Sequence, residues 1–541
     1  MELITAQALW KDYDLRALPL SETVLSIEHK ERYTIEYIYF NGEATVDGCT
    51  RIYAQLYTPS SIPSGASVVL MNDVDEPFDT TYVDLLVSCG YTVLVVDYAG
   101  KRDEGRHTLY PQSLSYADYF GEEGGFKLPL SAQEAKQSCW YVYATVMARA
   151  FVFLENHEGI DKTKISFFGV RRGALNVYKA AYLVPEACAA VALFNSSCVD
   201  GIDDTLPEAM LYKTCLASGC YASQLKVPTY IVEGSNNSEN SLFDTNELYK
   251  VASEECRFYI AEHSDNTLMP YQRRSVIAFL NTVCFSRNAL PQEPRLEAKN
   301  SERSLYYEIK IDRSEEADTV RLHYFYGLET GAYRNWTRLN LQRVSESEYL
   351  SKADVYLHKQ ETSAFASVLY NNGLILTGEI ITKTPYLMGV EETQVVRSRL
   401  IYDVDKMDSA GWLIMDKRGF GEVTIEESEE GIKGVTSSVN SITTLKIGDL
   451  HTCGERDGAL QLLVYSDEEQ TLTLEVVCRG ENGYVKYECN KRPSSYGEWS
   501  KITLSYEDLR SEQGVMHGWN DAVSITIRSE KRLLINSLLW I

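Results

Sequence analysis

No stretch of this 541-residue chain approaches the ~18 uninterrupted apolar residues that a membrane-spanning helix needs. The segment Met1 to Leu20 lacks the apolar core of a secretory signal and carries Glu2, Lys11, Asp12, Asp14 and Arg16 instead. Paired CxxC spacing is absent too. The 12 cysteines stand singly, which fits reduced thiols better than a disulfide framework. The densest group, Cys188, Cys198, Cys215 and Cys220, has irregular spacing and no histidine nearby, so buried apolar thiols are expected there rather than zinc. Positive charge is short: 52 Lys plus Arg against 77 Asp plus Glu leave a net charge of -25, which repels nucleic acid and anionic membranes. The expectation is a cytoplasmic protein without metal, cofactor, nucleic-acid partner or membrane partner.

What is present exceeds one hydrophobic core, so two or three domains are expected. Tyr33 to Phe40 and Arg51 to Tyr57 alternate apolar and polar residues around Asp47-Gly48, the pattern of an antiparallel entry hairpin. Then come continuous apolar strands at Ser67 to Met71, Tyr91 to Asp97, Lys164 to Phe168, Ala189 to Phe194, Pro228 to Glu233 and Arg257 to Ala261. Helical stretches separate them, at Thr81 to Ser88, Gln137 to Glu155 and Ala174 to Leu183, and Tyr271 to Val283 closes the series. Such strands belong to a sheet covered on both faces. The expected fold class is therefore multidomain: an α/β domain over 1–287, a linker over 288–303, then all-β sandwiches over 304–385 and 386–541. Short alternating segments carry the β assignment, among them Leu305 to Ile311, Thr319 to Tyr326, Ala353 to His358, Thr393 to Tyr402 and Leu533 to Trp540.

The most informative segment is Lys164 to Leu175. It reads as strand, sharp turn and helix, with Gly169 and Gly173 at the spacing of a nucleophile elbow and Arg171 at the tip where a serine belongs. A guanidinium stays protonated and cannot attack a carbonyl.

With Gly90 to Gly100, Thr108 to Pro111, Gly159-Ile160-Asp161 and Glu262-His263 in this order, residues 1 to about 285 resemble the α/β-hydrolase fold of the acetyl xylan esterase, cephalosporin deacetylase and dienelactone hydrolase type. The resemblance implies slots. Arg171 takes the nucleophile's, followed by Arg172; Asn237, after the strand ending Glu233-Gly234, takes the acid's; His263 takes the base's; and Asn72-Asp73 stand in the oxyanion loop, where His-Gly is usual. Asp73 there would oppose a developing oxyanion, and an asparagine cannot stabilise an imidazolium by charge. Arg171 either pairs with Asp73 or Asp97 or anchors an anionic ligand, and His263 is either an inert relic or a base paired with Asp265. Facing Arg171, the imidazole is expected to be neutral near pH 7. Ser166 and Cys139 are expected to be structural.

Leu460 to Tyr465, Gly497 to Leu504, Tyr506 to Leu509 and Ile535 to Ile541 look like strands of a jelly-roll carbohydrate-binding module, and residues 300–385 resemble an immunoglobulin-type sandwich. That likeness implies a carbohydrate or acylated-sugar ligand stacked on exposed rings, for which Tyr484, Tyr496 and Trp519 are the main candidates, with Tyr487 and Trp499 beside them. Two functions follow. One is a catalytically degenerate pseudo-esterase; the other is an active carbohydrate esterase in which His263 activates water and Arg171 holds an anionic group.

Overall fold

The computed structural model describes residues 4–61, 63–100, 105–117, 128–195, 206–238, 242–286, 289–327, 329–407, 409, 411–415, 421–481, 483–512 and 514–541. Its first half is built on one sheet of nine strands: β1 (Thr23–His29), β2 (Tyr33–Thr45), β3 (Gly48–Pro59), β4 (Ser67–Met71), β5 (Thr92–Val96), β6 (Ile165–Val170), β7 (Ala190–Leu193), β8 (Thr229–Gly234) and β9 (Cys256–Ala261). Their spatial order is β1-β2-β3-β5-β4-β6-β7-β8-β9. Pairings from β1 through β3 to β5 are antiparallel and the rest are parallel. In β4, β5, β8 and β9 every residue is buried, as the continuous apolar runs require.

The helices are α1 (Ala6–Trp10), α2 (Thr81–Ser88), α3 (Ala132–Gln137), α4 (Cys139–Asn156), α5 (Ala174–Leu183), α6 (Pro207–Cys215), α7 (Ser218–Ala222), α8 (Leu242–Val251) and α9 (Pro270–Phe285). In α4 every residue from Cys139 to Leu154 is buried, because the helix is apolar on all sides and packs between the sheet and α5. The chain visits β5 on one side of β4 and then β6 on the other. Open α/β sheets place their sites at such a reversal, outside the carboxyl ends of the strands. Here those ends are Met71 of β4 and Val170 of β6.

The β part differs from the sequence expectation at its entry. Arg295–Asn300, read as linker, is a strand, β10. Its charges, Arg295, Glu297 and Lys299, are one face of a period-two pattern whose other face, Leu296 and Ala298, packs on the core. The first sandwich continues with β11 (Ser304–Lys310), β12 (Ala317–Tyr326), β13 (Thr337–Leu339), β14 (Gln342–Arg343), β15 (Glu348–Asp354), β16 (Thr362–Tyr370), β17 (Ile375–Thr377) and β18 (Ile381–Lys383). One sheet runs β10-β11-β15-β14; the other runs β13-β12-β16-β17, with β18 also on β16. The strand expected at Ala353 to His358 lies earlier, at Glu348–Asp354, and of Thr393 to Tyr402 only the end joins a strand, Leu400–Asp403. Between Leu400 and Trp540 two further antiparallel sheets, of six and seven strands, enclose a separate core containing Trp412, Leu462, Leu474, Trp519, Ile525 and Trp540.

The first sandwich has no core of its own apart from the α/β unit. Leu305, Tyr307, Leu322, Tyr324, Ala366 and Val368 are continuous with Tyr230 of β8 and Val276, Phe279 and Leu280 of α9. This contact also covers the edge of the nine-stranded sheet: the Ile260 N–H of β9 donates to Thr377 Oγ1 at 3.0 Å, and the Thr377 hydroxyl donates to Phe258 O at 3.3 Å. An open edge of unpaired peptide groups would otherwise invite pairing with another chain. Among the described residues no helix is long and apolar enough to cross a membrane.

Candidate functional site

At the β4/β6 reversal the chain makes the tight turn that the two glycines announce. Arg171 has φ 53°, a left-handed conformation unusual for a residue with a Cβ, and α5 starts three residues later. The closeness of strand and helix explains the glycines. A Cβ on Gly173 would lie 2.0 Å from Met71 O, and one on Gly169 would lie 2.6 Å from Gly173 O.

The charge at this corner is neutralised inside the protein. Arg171 Nη1 lies 3.3 Å from Asp73 Oδ2, with side-chain exposures of 23% and 12%. The other Asp73 oxygen, Oδ1, accepts the Val74 N–H at 2.8 Å. Asp73 thus occupies an amide of the loop that would face a reacting carbonyl, and a carboxylate there repels an oxyanion. Arg172 makes a second bridge to the same loop, through Asp75 at 3.4 Å. Of the two partners considered for Arg171, the pairing is with Asp73. Asp97 is engaged elsewhere, accepting from the N–H groups of Ala99 and Thr108.

Asn72 is buried and braces the loop. Its amide donates to the carbonyls of Pro77 and Asp79, and its own carbonyl accepts the Tyr98 hydroxyl at 2.8 Å. Beside Arg172, a cavity of about 10 Å³ lined by Val74, Tyr98, Cys139 and Trp140 has room for one water. Cys139 is buried at the head of α4, and Ser166 is buried with its Oγ 3.6 Å from Cys284 Sγ.

The strand order and the elbow settle the fold. The N-terminal half has the α/β-hydrolase fold. No protein-family model and no curated protein sequence matches the chain. Among solved structures, the acetyl xylan esterase from Paenibacillus sp. R4 is similar over 51% of this chain and 92% of its own, at 17% identity and TM-score 0.41. Acetyl xylan esterase 1 from Thermoanaerobacterium sp. JW/SL YS485 is similar over 50% of this chain and 89% of its own, at 13% identity and TM-score 0.39. For a glucuronoyl esterase from Solibacter usitatus the shares are 51% and 90%, at 11% identity and TM-score 0.37.

The acid and histidine slots face the first sandwich. Asn237 is buried, and its amide donates to Glu233 Oε1 at 2.7 Å. Burial pushes the Glu233 carboxyl up to about 7, although Asn237, the Gly234 amide and Thr245 all donate to it. Asp265, the other conceivable partner of His263, accepts from the Ser238 amide at 2.8 Å and the Ser238 hydroxyl at 3.1 Å. His263 itself has φ 52° and is pinned through its N–H to Ser235 Oγ at 2.8 Å. Its Nδ1 is buried with no hydrogen-bond partner among the described residues. Burial lowers its pKa to about 4; Glu262 opposes that, and Arg338, Lys446 and Arg321 reinforce it. Burial therefore favours the neutral imidazole near pH 7. The cations around it come from the sandwiches and not from the elbow.

Glu262, next to His263, is the centre of that surrounding. Arg321 Nη1 lies 2.5 Å and Arg338 Nη2 2.6 Å from Oε1, while His323 Nε2 lies 3.2 Å from Oε2. Burial alone would raise the Glu262 carboxyl, but His323, Arg338 and Arg321 together hold it down to about 2. Burial against Phe365 lowers the His323 pKa to about 3, so the arginines contribute the charge that faces Glu262. The acid loop is held in the same way. The Trp336 indole N–H donates to Ser235 O at 3.0 Å, and the Asn236 amide donates to Ala332 O and Arg334 O at 3.0 and 2.7 Å.

Sequence reasoning missed this junction. A faint signal exists in β12, where Arg321 and His323 share one face of a strand otherwise apolar at that end.

The ring candidates fare differently from one another. Trp519 was read as exposed but is wholly buried: its indole N–H donates to Gly458 O at 2.7 Å and its ring packs on Trp540. Tyr484 lies on Tyr333 of the first sandwich, with ring centroids 4.3 Å apart, and its hydroxyl accepts the Thr330 N–H. Tyr496 is 62% exposed, while Tyr487 and Trp499 are partly buried. Near Tyr484 a crevice of about 230 Å³ lies between the sandwiches, lined by Tyr326, Glu329, Tyr333, Asn335, Asp449 and Arg479 among others. Arg479 pairs there with Glu329, and Asn335 donates to Asp449 at 3.0 Å. The described residues contain no cluster of His, Cys, Asp and Glu able to hold a metal ion.

Proposed function

We propose that this protein is a catalytically degenerate member of the esterase-like α/β-hydrolases, a pseudo-esterase that binds a carbohydrate-related ligand without turning over its esters. One observation carries the reading: Arg171, at the tip of a preserved elbow, is neutralised by Asp73 of the oxyanion loop at 3.3 Å. A nucleophile is missing, and the place for developing negative charge already holds a carboxylate. For the ligand, support comes from the crevice between the sandwiches. Its lining combines the tyrosines Tyr326 and Tyr333 with Asn335, Glu329 and Arg479, aromatic and polar groups of the kind that contact sugars.

The rearranged-esterase alternative needs Arg171 available to an anion and His263 supported by a carboxylate on its imidazole. Pairing with Asp73 and the unpartnered Nδ1 of His263 both weigh against it. The test is steady-state turnover of acetylated sugars and p-nitrophenyl acetate by wild type, Arg171→Ser and His263→Ala. No variant is expected to exceed background. Turnover by wild type that is lost in both Arg171→Ala and His263→Ala would establish the alternative instead.

A further inference from the structure

At the amino ends of the strands, the end opposite the elbow, two thiols lie in contact. Cys188, in the turn between α5 and β7, has its Sγ 3.4 Å from Cys284 Sγ in the last turn of α9, across 96 residues of sequence. Cys188 is partly exposed and Cys284 is buried. The turn is held in place, since the Cys188 N–H donates to Ile165 O at 2.8 Å. Ser166 Oγ lies 3.6 Å from Cys284 Sγ, and Lys164 Nζ sits 5.1 Å from the ring of neighbouring Phe285. A disulfide needs the sulfurs at about 2.05 Å, so closure takes a movement of little more than one ångström, at a helix end where the backbone frays most readily.

We propose that Cys188 and Cys284 form a covalent modification site, a dithiol that a hydroperoxide oxidises to a disulfide. Once it loses its proton, which the neighbouring Cys284 sulfur and burial resist, the accessible Cys188 sulfur attacks the terminal peroxide oxygen. The O–O bond breaks, water or an alcohol leaves, and Cys188 becomes a sulfenic acid. Cys284, already in contact, attacks that sulfur and expels the hydroxyl as water, so two thiols are oxidised and one peroxide is reduced.

The consequence reaches the junction between domains, because α9 carries the first sandwich. Ser275 Oγ accepts the Ile375 N–H at 2.8 Å, and the Asn372 amide donates to Thr282 Oγ1 at 3.3 Å. A bond from the end of α9 to the start of β7 fixes that platform to the sheet and restricts the unfolded chain over a long loop.

The experiment uses the full-length reduced protein, treated with stoichiometric hydrogen peroxide, quenched with N-ethylmaleimide and mapped by mass spectrometry. The expected product is a Cys188–Cys284 cross-linked peptide two hydrogens lighter than its parts, reversed by dithiothreitol, with a thermal midpoint raised by a few degrees. Cys188→Ser is expected to abolish the cross-link, and Cys89, exposed and lacking such a contact, serves as the internal control. The proposal is overturned if Cys188 proceeds to sulfinic acid while Cys284 stays alkylatable after unfolding. It is equally overturned if Cys188 couples to Cys89.

Discussion

The two corners of the candidate site depart in opposite ways from what the resemblance implies. At the elbow the backbone agrees and the side chain does not: the left-handed turn and its two glycines are present, and Arg171 fills the tip and pairs with the loop opposite. At the histidine loop the residue agrees and its surroundings do not. His263 stands where a base belongs, yet its neighbours are Glu262 and the cations of two sandwiches. A fold preserves a turn because steric contacts dictate it, whereas a base stays a base only while water and an acid can reach it. At the junction with the first sandwich, His263 Nδ1 is buried with no hydrogen-bond partner among the described residues.

Replacing Trp336 tests how much the junction contributes. Trp336 is buried against Phe325 and Phe365 and bonded to Ser235 O, so Trp336→Ala should cost about 3–5 kcal/mol in chemical denaturation. It should also split the unfolding of the α/β unit from that of the sandwich. A neutral effect would mean that the acid loop does not depend on the sandwich.

Glu262→Ala should follow, at about 3 kcal/mol. It leaves two arginines without their carboxylate, and their exposures of 33% and 42% let water recover part of the loss. The sign with pH is definite. A carboxyl held down to about 2 contributes stability above its unfolded value near ~4.3, and that contribution drains away as pH falls toward 2.

Two histidines should shape the acid limb at higher pH. His263 and His323 are lowered to about 4 and about 3, so the unfolded chain binds their protons first. Stability is full above ~6.5 and should fall as pH drops through that window, by up to ~1.4 kcal/mol per unit for each. Denaturant melts of His263→Gln should show a shallower limb between pH 6.5 and 4.

The smallest effect belongs to the elbow. The Arg171–Asp73 pair is worth about 1 kcal/mol at most at its exposure. Arg171→Gly should nevertheless be more stable than Arg171→Ala by about 1 kcal/mol, because glycine adopts φ 53° without penalty. Equal thermal midpoints for the two variants would deny the strained turn.

Much of the α/β unit could be read from the chain, because buried parallel strands write themselves as unbroken apolar runs and the elbow writes itself in glycines. The helix over Ala174–Leu183 and the strand over Leu533–Trp540 fall where the pattern places them. Strands whose outward faces are charged were harder. Arg295–Asn300 imitates a linker, and in Gly483–Lys491 the apolar face of Val485, Tyr487 and Cys489 is only partly buried. Trp519 looked like a loop aromatic because the carbonyl that satisfies its indole, Gly458 O, is 61 residues away. The histidine corner was illegible for the same reason. Nothing local to Glu262-His263 announces that Arg321, His323 and Arg338 will converge on it.

The most direct measurement is an NMR titration of the His263 imidazole in the intact protein, assigned with His263→Gln. A His263 buried at the junction as the proposal holds should stay neutral down to about pH 4. A midpoint at or above ~6.5 would make His263 a solvated base and contradict the account.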